Sequence, residues 1–402
     1  MLTVLFDLDD TLLSNEIDTF QKHYFHALGQ ALIPWVDPEK MMRAMKSGIA
    51  AMLTKSTPSG TMEETFDAAF YPAIGVIKEL LAETIDSFYK NSFPELRQFT
   101  RPRPAAQELV RKCFQHGWNI IIATNPLFPS TAIHQRLAWA GLSRDDFPYS
   151  YVTVFEKMHF CKPHPAYYAE VLSLLCWPKG PVAVVGNYLV DDILPMEQLG
   201  HPAFWLTDAQ VSRPDSHPLS SSGQLEDVFK WLENLDRHQK QTSYNTPLSI
   251  MATLQATPAA VQQFAVKLKP ELWNLRPQVD EWSFTELICH WRDVDREVNL
   301  PRFKEILASS NPFLPGINTD VWTEERDYIK EHGPDALTSW IETRTLIIQI
   351  LSQISNQDWG RSARHAIFGP TTLLELVSFS ATHDRVHIQQ AWDTISRVKS
   401  SH

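Results

Sequence analysis

Long apolar runs are missing from this chain: none approaches the roughly 20 residues needed to span a bilayer, and no basic-then-apolar leader precedes the first apolar run. A membrane partner is therefore not expected, and the expected location is the cytoplasm. Runs of Lys and Arg are missing too. With 36 basic against 47 acidic residues the net charge is −11, which argues against nucleic acid as a partner, since phosphate neutralisation needs clustered positive charge. Cysteine is scarce and scattered at Cys113, Cys161, Cys176 and Cys289, with no C-x-x-C pair. That excludes a disulfide framework or a thiolate zinc site as the organising feature and leaves core thiols as the expectation. No internal repeat joins the two halves.

What is present is an ordinary globular composition, 44% hydrophobic and 21% charged, in a chain of 402 residues. That length is too great for one core, so two domains are expected. The first eleven residues organise the first half. An apolar run, Leu2 to Phe6, reads as a buried strand and stops at Asp7-Leu8-Asp9-Asp10-Thr11. By themselves these acids also suit an acidic turn. In open α/β sheets, however, chemistry collects at carboxyl strand ends, and two carboxylates two residues apart can divide nucleophilic and proton-transfer work.

Three more strand ends follow in order. Helical spacing over Glu16–Leu28, Pro38–Met52 and Ala69–Phe88 makes an insert of about eighty residues, too long for a plain crossover. Trp118 to Ala123 then ends in Thr124-Asn125-Pro126, where a hydroxyl and backbone amides suit phosphoryl oxygens. Tyr151 to Phe155 leads to Lys162-Pro163, a lysine whose backbone the proline pushes toward an extended form. Val182 to Val185 ends in Gly186-Asn187-Tyr188-Leu189-Val190-Asp191-Asp192, acids after a glycine turn that can hold Mg²⁺.

These four motifs, in this order and with a helical insert between the first two, resemble the haloacid dehalogenase (HAD) superfamily, whose commonest members are phosphatases. The resemblance covers about residues 1 to 236, finishing with strand Ala203–Leu206 and helix Leu225–Leu235. It implies a Rossmann-like α/β core with an all-helical cap over about residues 15–98, and a small phosphorylated metabolite as substrate. It further implies that Asp7 attacks phosphorus to form an aspartyl-phosphate and that Asp9 moves protons. Thr124 and Lys162 would hold the transferred group, with Thr11 and Asn125 assisting. Mg²⁺ would be held by Asp7, Asp9 and the fourth motif, Asn187, Asp191 and Asp192. An acid at Asp9 favours phosphatase over dehalogenase chemistry, because dehalogenases of this superfamily lack it. Asn187 departs from the pattern, which has Asp there, and so motivates an alternative: a ligand-binding domain without turnover.

Residues 237–247, including His238, Gln239, Lys240, Gln241, Thr242 and Ser243, are polar and aperiodic and read as a linker. Beyond it, over 248–402, no β-run is evident and helices are expected. Thr257-Pro258 suits a helix start for Ala259–Leu268. Ser283 and Glu286 form a capping box, with Trp282 and Leu287 placed as a hydrophobic staple. A helix spans about Ala336 to Ile354, and the last starts at Thr372 with Glu375 three residues on. Four helices suggest a bundle.

His383 and His387, four apart, share one helix face and can grip one metal, and His290 on an earlier helix can complete the set. Imidazoles suit Zn²⁺, Ni²⁺ or Fe²⁺. In a chain of fifteen histidines such a pair alone is as readily a core or surface feature. Glu281-Trp282-Ser283, His290-Trp291-Arg292-Asp293 and His383-Asp384-Arg385-Val386-His387 resemble the DinB-like four-helix superfamily, whose pattern is one His in the second helix and His-x-x-x-His in the last. The resemblance covers about residues 248 to 395. It implies a divalent metal at the three histidines and bundles that often pair, so a homodimer is expected. It also admits a further reading, with the enzyme activity at His290, His383 and His387 as a metal-dependent hydrolase or thiol-dependent transferase.

Overall fold

The computed structural model describes residues 1–15, 17–208, 213–238 and 242–401. Glu16 and the linker residues Gln239, Lys240 and Gln241 lie outside the described residues. The chain divides into two compact units, Met1–Ser56 with Gly60–Tyr168 and Pro178–Ser243, and Thr57–Ser59 with Ala169–Trp177 and Tyr244–His402. No helix among the described residues is long and apolar enough to cross a membrane.

In the first unit the strands are β1 (Thr3–Phe6), β2 (Leu13–Asn15), β3 (Thr100–Pro102), β4 (Asn119–Ile122), β5 (Tyr151–Val152), β6 (Val182–Gly186), β7 (Ala203–Leu206) and β8 (Ser221–Gly223). Six of them form one parallel sheet in the order β5-β4-β1-β6-β7-β8. Every residue of β1 and β6 is buried, which is why both read as unbroken apolar runs rather than alternating ones. Register places the site. Phe6 lies opposite Ile122 on one side and Val185 on the other, so three strands end at one level. The chain goes from β1 outward to β4 and β5, then returns to β6 on β1's other flank, and this reversal opens a crevice at the carboxyl edge.

The insert forms helices α1 (Ile17–Leu32), α2 (Pro38–Thr54), α3 (Met62–Ile74) and α4 (Lys78–Ser87), entered and left through the antiparallel pair β2–β3. Asp37 caps α2 by accepting from the Lys40 amide at 3.0 Å, and Thr61 with Glu64 makes a capping box for α3. The single helix expected over Ala69–Phe88 is broken. Gly75, at φ +72°, takes the left-handed conformation that ends α3, and glycine adopts it without Cβ strain. An aromatic seam ties the insert to the sheet domain: Phe20 packs edge-on against Phe93 and Phe128, and Phe93 stacks on Trp139 at 5.3 Å. Helices α5 (Pro104–Gln115), α6 (Ser130–Trp139), α8 (Leu194–Gln198) and α9 (Leu225–His238) complete the layers, and the residues of α7 (Pro165–Leu174) are divided between the two units.

The second unit holds α10 (Pro247–Val266), α11 (Phe284–Val294), α12 (Leu300–Ala308), α13 (Trp322–Glu325), α14 (Gly333–Ser352) and α15 (Leu373–Ser401). Helices α10, α11, α14 and α15 pack as a four-helix bundle. Its first helix begins at Thr246, not at Thr257. Thr246 accepts from the Ser249 amide at 3.2 Å, and Pro258 sits inside the helix. A mid-helix proline leaves the carbonyl four residues back without its donor. Here that carbonyl, Leu254 O, accepts from Arg344 Nη1 at 3.1 Å, so the helix continues. A second difference is a small sheet where no strand was expected. β9 (Phe313–Leu314) runs parallel to β10 (Ser362–His365), which pairs antiparallel with β11 (Gly369–Thr372). These strands are too short to show a period of two.

Candidate active site and metal centre

At the carboxyl edge of the first unit, the buried Lys162 Nζ donates to Asp7 Oδ1 at 2.7 Å and to Asp192 Oδ1 at 2.6 Å. Burial by itself would lower the lysine's pKa, but the carboxylates of Asp192 and Asp7 more than reverse this and hold it well above its ordinary value. Asp7 goes the other way: burial raises it to about 6, opposed by Lys162 and reinforced by Asp192. Asp7 Oδ2 has no hydrogen-bond partner among the described residues. The cluster thus holds a carboxylate fixed by one oxygen and open at the other.

Its surroundings hold Asp192 tightly. Tyr168 donates to Asp192 Oδ1 at 3.3 Å, and the Tyr188 amide to Oδ2 at 3.0 Å. Gly186 is required beside it, since a Cβ there would collide with the Asp192 carboxylate. Thr11, fully buried, donates to Asn187 Oδ1 at 3.2 Å, linking the first motif to the fourth. The carbonyl of Thr124 accepts from Thr153 Oγ1 at 2.7 Å and from Tyr167 at 2.8 Å, which fixes the end of β4. Asn125 Oδ1 is buried without a partner among the described residues. The Asp191 carboxyl is raised by burial, and its main-chain carbonyl accepts from Tyr168.

In the second unit, α11 brings His290, and α15 brings His383 and His387. The Ser283 capping box sets where α11 starts: Ser283 Oγ accepts from the Glu286 amide at 3.3 Å, and Glu286 Oε2 accepts from the Ser283 amide at 2.8 Å. Thr372 and Glu375 make the same reciprocal pair at α15. His383 Nε2 lies 3.0 Å from His290 Nε2 and 3.0 Å from His387 Nε2. All three ligand atoms lie within 4.8 Å of one another. Burial and the neighbouring His387 push His290 down to about 3, and burial with the other two histidines and Arg344 holds His383 well below its ordinary value. Three converging neutral imidazoles form the donor set a transition metal takes. His387 Nδ1 is 2.8 Å from Gln390 Oε1, which orients its ring, and Trp282 lies parallel to that ring at 5.9 Å.

Residues 1–200 match the family model for haloacid dehalogenase-like hydrolases, and residues 253–391 match that for the DinB superfamily. The chain carries a HAD-like hydrolase domain followed by a DinB domain. Among solved structures it is similar to a HAD phosphatase from Thermococcus onnurineus (17% identity, 59% of this chain and 100% of that one, TM-score 0.38). It is also similar to a haloacid dehalogenase-like hydrolase from Xanthomonas campestris (18%, 59% and 96%, 0.33). The bundle is similar to YfiT from Bacillus subtilis, a probable metal-dependent hydrolase of four-helix bundle topology (18%, 38% and 90%, 0.33). Comparison with curated proteins finds no match.

The HAD-like domain brings Asp7, Thr11, Lys162, Asn187 and Asp192 into one hydrogen-bonded cluster. Asp9 faces differently. It is ion-paired with Arg136, whose Nη1 donates to Asp9 Oδ2 at 3.1 Å. Arg136 was not among the residues expected at the site. The signal for it is a cation inside an apolar helical stripe, with Ile133 three residues before and Ala140 four after, a position that is ordinarily apolar. Arg103 was missed as well: its Nη1 donates to the carbonyls of Asp10 and of Thr11, the latter at 3.0 Å, bracing the motif's left-handed residue Asp10 at φ 55°.

Proposed function

We propose that the HAD-like domain, residues 1–236, is a Mg²⁺-dependent phosphatase of a small phosphorylated metabolite. Residues 248–402 hold one divalent transition-metal ion, Zn²⁺, Ni²⁺ or Fe²⁺, at His290, His383 and His387, and residues 237–247 link the two. The observation that supports the phosphatase reading best is the Asp7–Lys162–Asp192 cluster. It fixes Asp7 Oδ1 and leaves Oδ2 free to form a bond.

Asp7 Oδ2 attacks phosphorus in line. The bond to the leaving oxygen breaks as the aspartyl-phosphate forms, and Asp9 gives its proton to that oxygen. Water then attacks phosphorus, Asp9 takes its proton, and phosphate leaves with Asp7 restored. Lys162 spreads the charge of the transferred group, and Thr124 with Asn125 receives its oxygens at the end of β4. Asp7 through Oδ1, the main-chain carbonyl of Asp9 and the Asn187 side chain would offer a hard cation one charged and two neutral oxygens, leaving Asp7 Oδ2 for the attack. When bound, Mg²⁺ supplies charge neutralisation at the phosphoryl oxygens. Asp192 serves Lys162, and with Asn in place of the usual Asp the cation is held with one charge fewer.

The test is hydrolysis of an aryl phosphate by wild type and Asp7→Asn, each with and without Mg²⁺. Activity that needs both supports the reading. Activity that survives Asp7→Asn refutes the covalent route.

A further inference from the structure

The cluster at Asp9 reaches beyond the four motifs. We propose that Arg136 of α6 is a positioning residue that fixes the Asp9 carboxyl for proton transfer to the leaving oxygen, an assignment that rests on the phosphatase reading above. Arg136 is fully buried, whereas the Asp9 side chain keeps 20% of its surface exposed. The guanidinium therefore approaches the carboxyl from inside the protein. Nη1 donates to Oδ2 at 3.1 Å, and Nη2 is ion-paired with Oδ1. Two terminal nitrogens set end-on against one carboxyl group constrain its plane, which a point charge does not.

The arginine is held in turn. Its guanidinium carbon lies 4.7 Å from the ring centre of Phe20 on α1 and 5.4 Å from that of Phe128 in the loop after Thr124. One aromatic face comes from the cap and the other from the core, so the Arg136 side chain is fixed by both. A buried ion pair is often no more stabilising than apolar residues of the same size. Stability alone thus gives little reason for arginine in this stripe, and a carboxyl that must sit at one angle beside Asp7 gives a specific one.

Arg136 forms no bond in either half-reaction. When the phosphorus–oxygen bond to the leaving group breaks, the Asp9 proton passes to that oxygen and an alcohol departs, leaving Asp9 a carboxylate. When water attacks, Asp9 takes the proton back. A nitrophenolate departs without a proton, whereas a benzyl alkoxide needs one. Loss of Arg136 therefore penalises poor leaving groups selectively.

The experiment is steady-state kinetics of wild type, Arg136→Met and Arg136→Lys on benzyl phosphate and 4-nitrophenyl phosphate with Mg²⁺, with thermal melts of all three. General acid catalysis contributes ~10²–10⁴-fold, so Arg136→Met is expected to lose at least about tenfold more kcat on benzyl than on nitrophenyl phosphate. KM stays unchanged on both substrates, and Arg136→Lys recovers part of the benzyl rate. Equal losses on the two substrates, or a gain on benzyl phosphate, overturn the assignment. Should Arg136→Met fail to fold, Arg136→Lys is judged by the same ratio. A wild type that hydrolyses neither ester removes the phosphatase reading and this one with it, whereas an active wild type with equal losses removes this one alone.

Discussion

Replacing Lys162 by Met removes the cation that hydrogen-bonds to both of the buried carboxylates Asp7 and Asp192. Two charge-assisted hydrogen bonds, at 2.7 and 2.6 Å, disappear together. Breaking a buried ion pair by deleting one partner costs ~3–5 kcal/mol, chiefly because the remaining charge has left water without compensation. The cost depends on pH with a definite sign. Asp7 already titrates near 6 in the folded protein against an ordinary 3.8, and Lys162 is the main group opposing that rise. Without it the folded value moves higher still. An acid whose folded pKa exceeds its unfolded value binds more protons when folded, so stability falls as pH rises through the window between the two. The deficit of Lys162→Met is therefore largest above the raised Asp7 value and shrinks as pH falls toward 4. Urea unfolding of wild type and variant, followed by tryptophan fluorescence at about pH 5 and about pH 8, measures this. Adding Asp192→Asn to the variant removes one of the two stranded charges and should restore part of the loss. A deficit equal at both pH values would refute the reasoning and point to lost packing instead.

Other perturbations have equally definite outcomes. Wild type is expected to bind one equivalent of transition metal, and His383→Ala, which removes the histidine central to the two 3.0 Å Nε2 contacts, to lose it; full occupancy by metal analysis in the variant would exclude the site. Asn187→Asp keeps the oxygen that accepts from Thr11 and adds a charge, so Mg²⁺ affinity and turnover should both rise, as titration of activity against Mg²⁺ will show. Burial, with His217 adding to it, depresses His201 to about 3 from 6.5. The unfolded state then binds the extra proton between these values, and stability drops as pH falls through that window by ~1.4 kcal/mol per pH unit. His201→Phe should flatten this slope in denaturant midpoints taken across the window, and an unchanged slope would assign it elsewhere.

Much of this architecture is legible locally. β1 and β6 are buried on both faces and so appear as uninterrupted apolar runs, and the acids after Phe6 and the glycine after Val185 mark where each run stops. Capping boxes are equally local, because Ser283 with Glu286 and Thr372 with Glu375 need only three residues and a turn. The break between α3 and α4 is less visible, since a lone glycine within apolar spacing does not announce a positive φ. The β9–β10–β11 sheet is not visible at all, because strands of two to four residues are defined by their partners.

The sequence by itself determined which chemistry is present and in what order: Asp7 and Asp9 after one strand, Thr124 after another, Lys162 before a proline, and histidines spaced four apart on a helix. These follow from periods of two and 3.6 and from turn chemistry, all acting within a few residues. Only the tertiary structure decided who pairs with whom. Arg136 meets Asp9 across 127 positions, and Arg344 supplies across 90 positions the donor that Pro258 withholds from Leu254. Those pairings exist because burial penalises a charge or carbonyl left without a partner, and which partner lies within reach is a property of the whole fold.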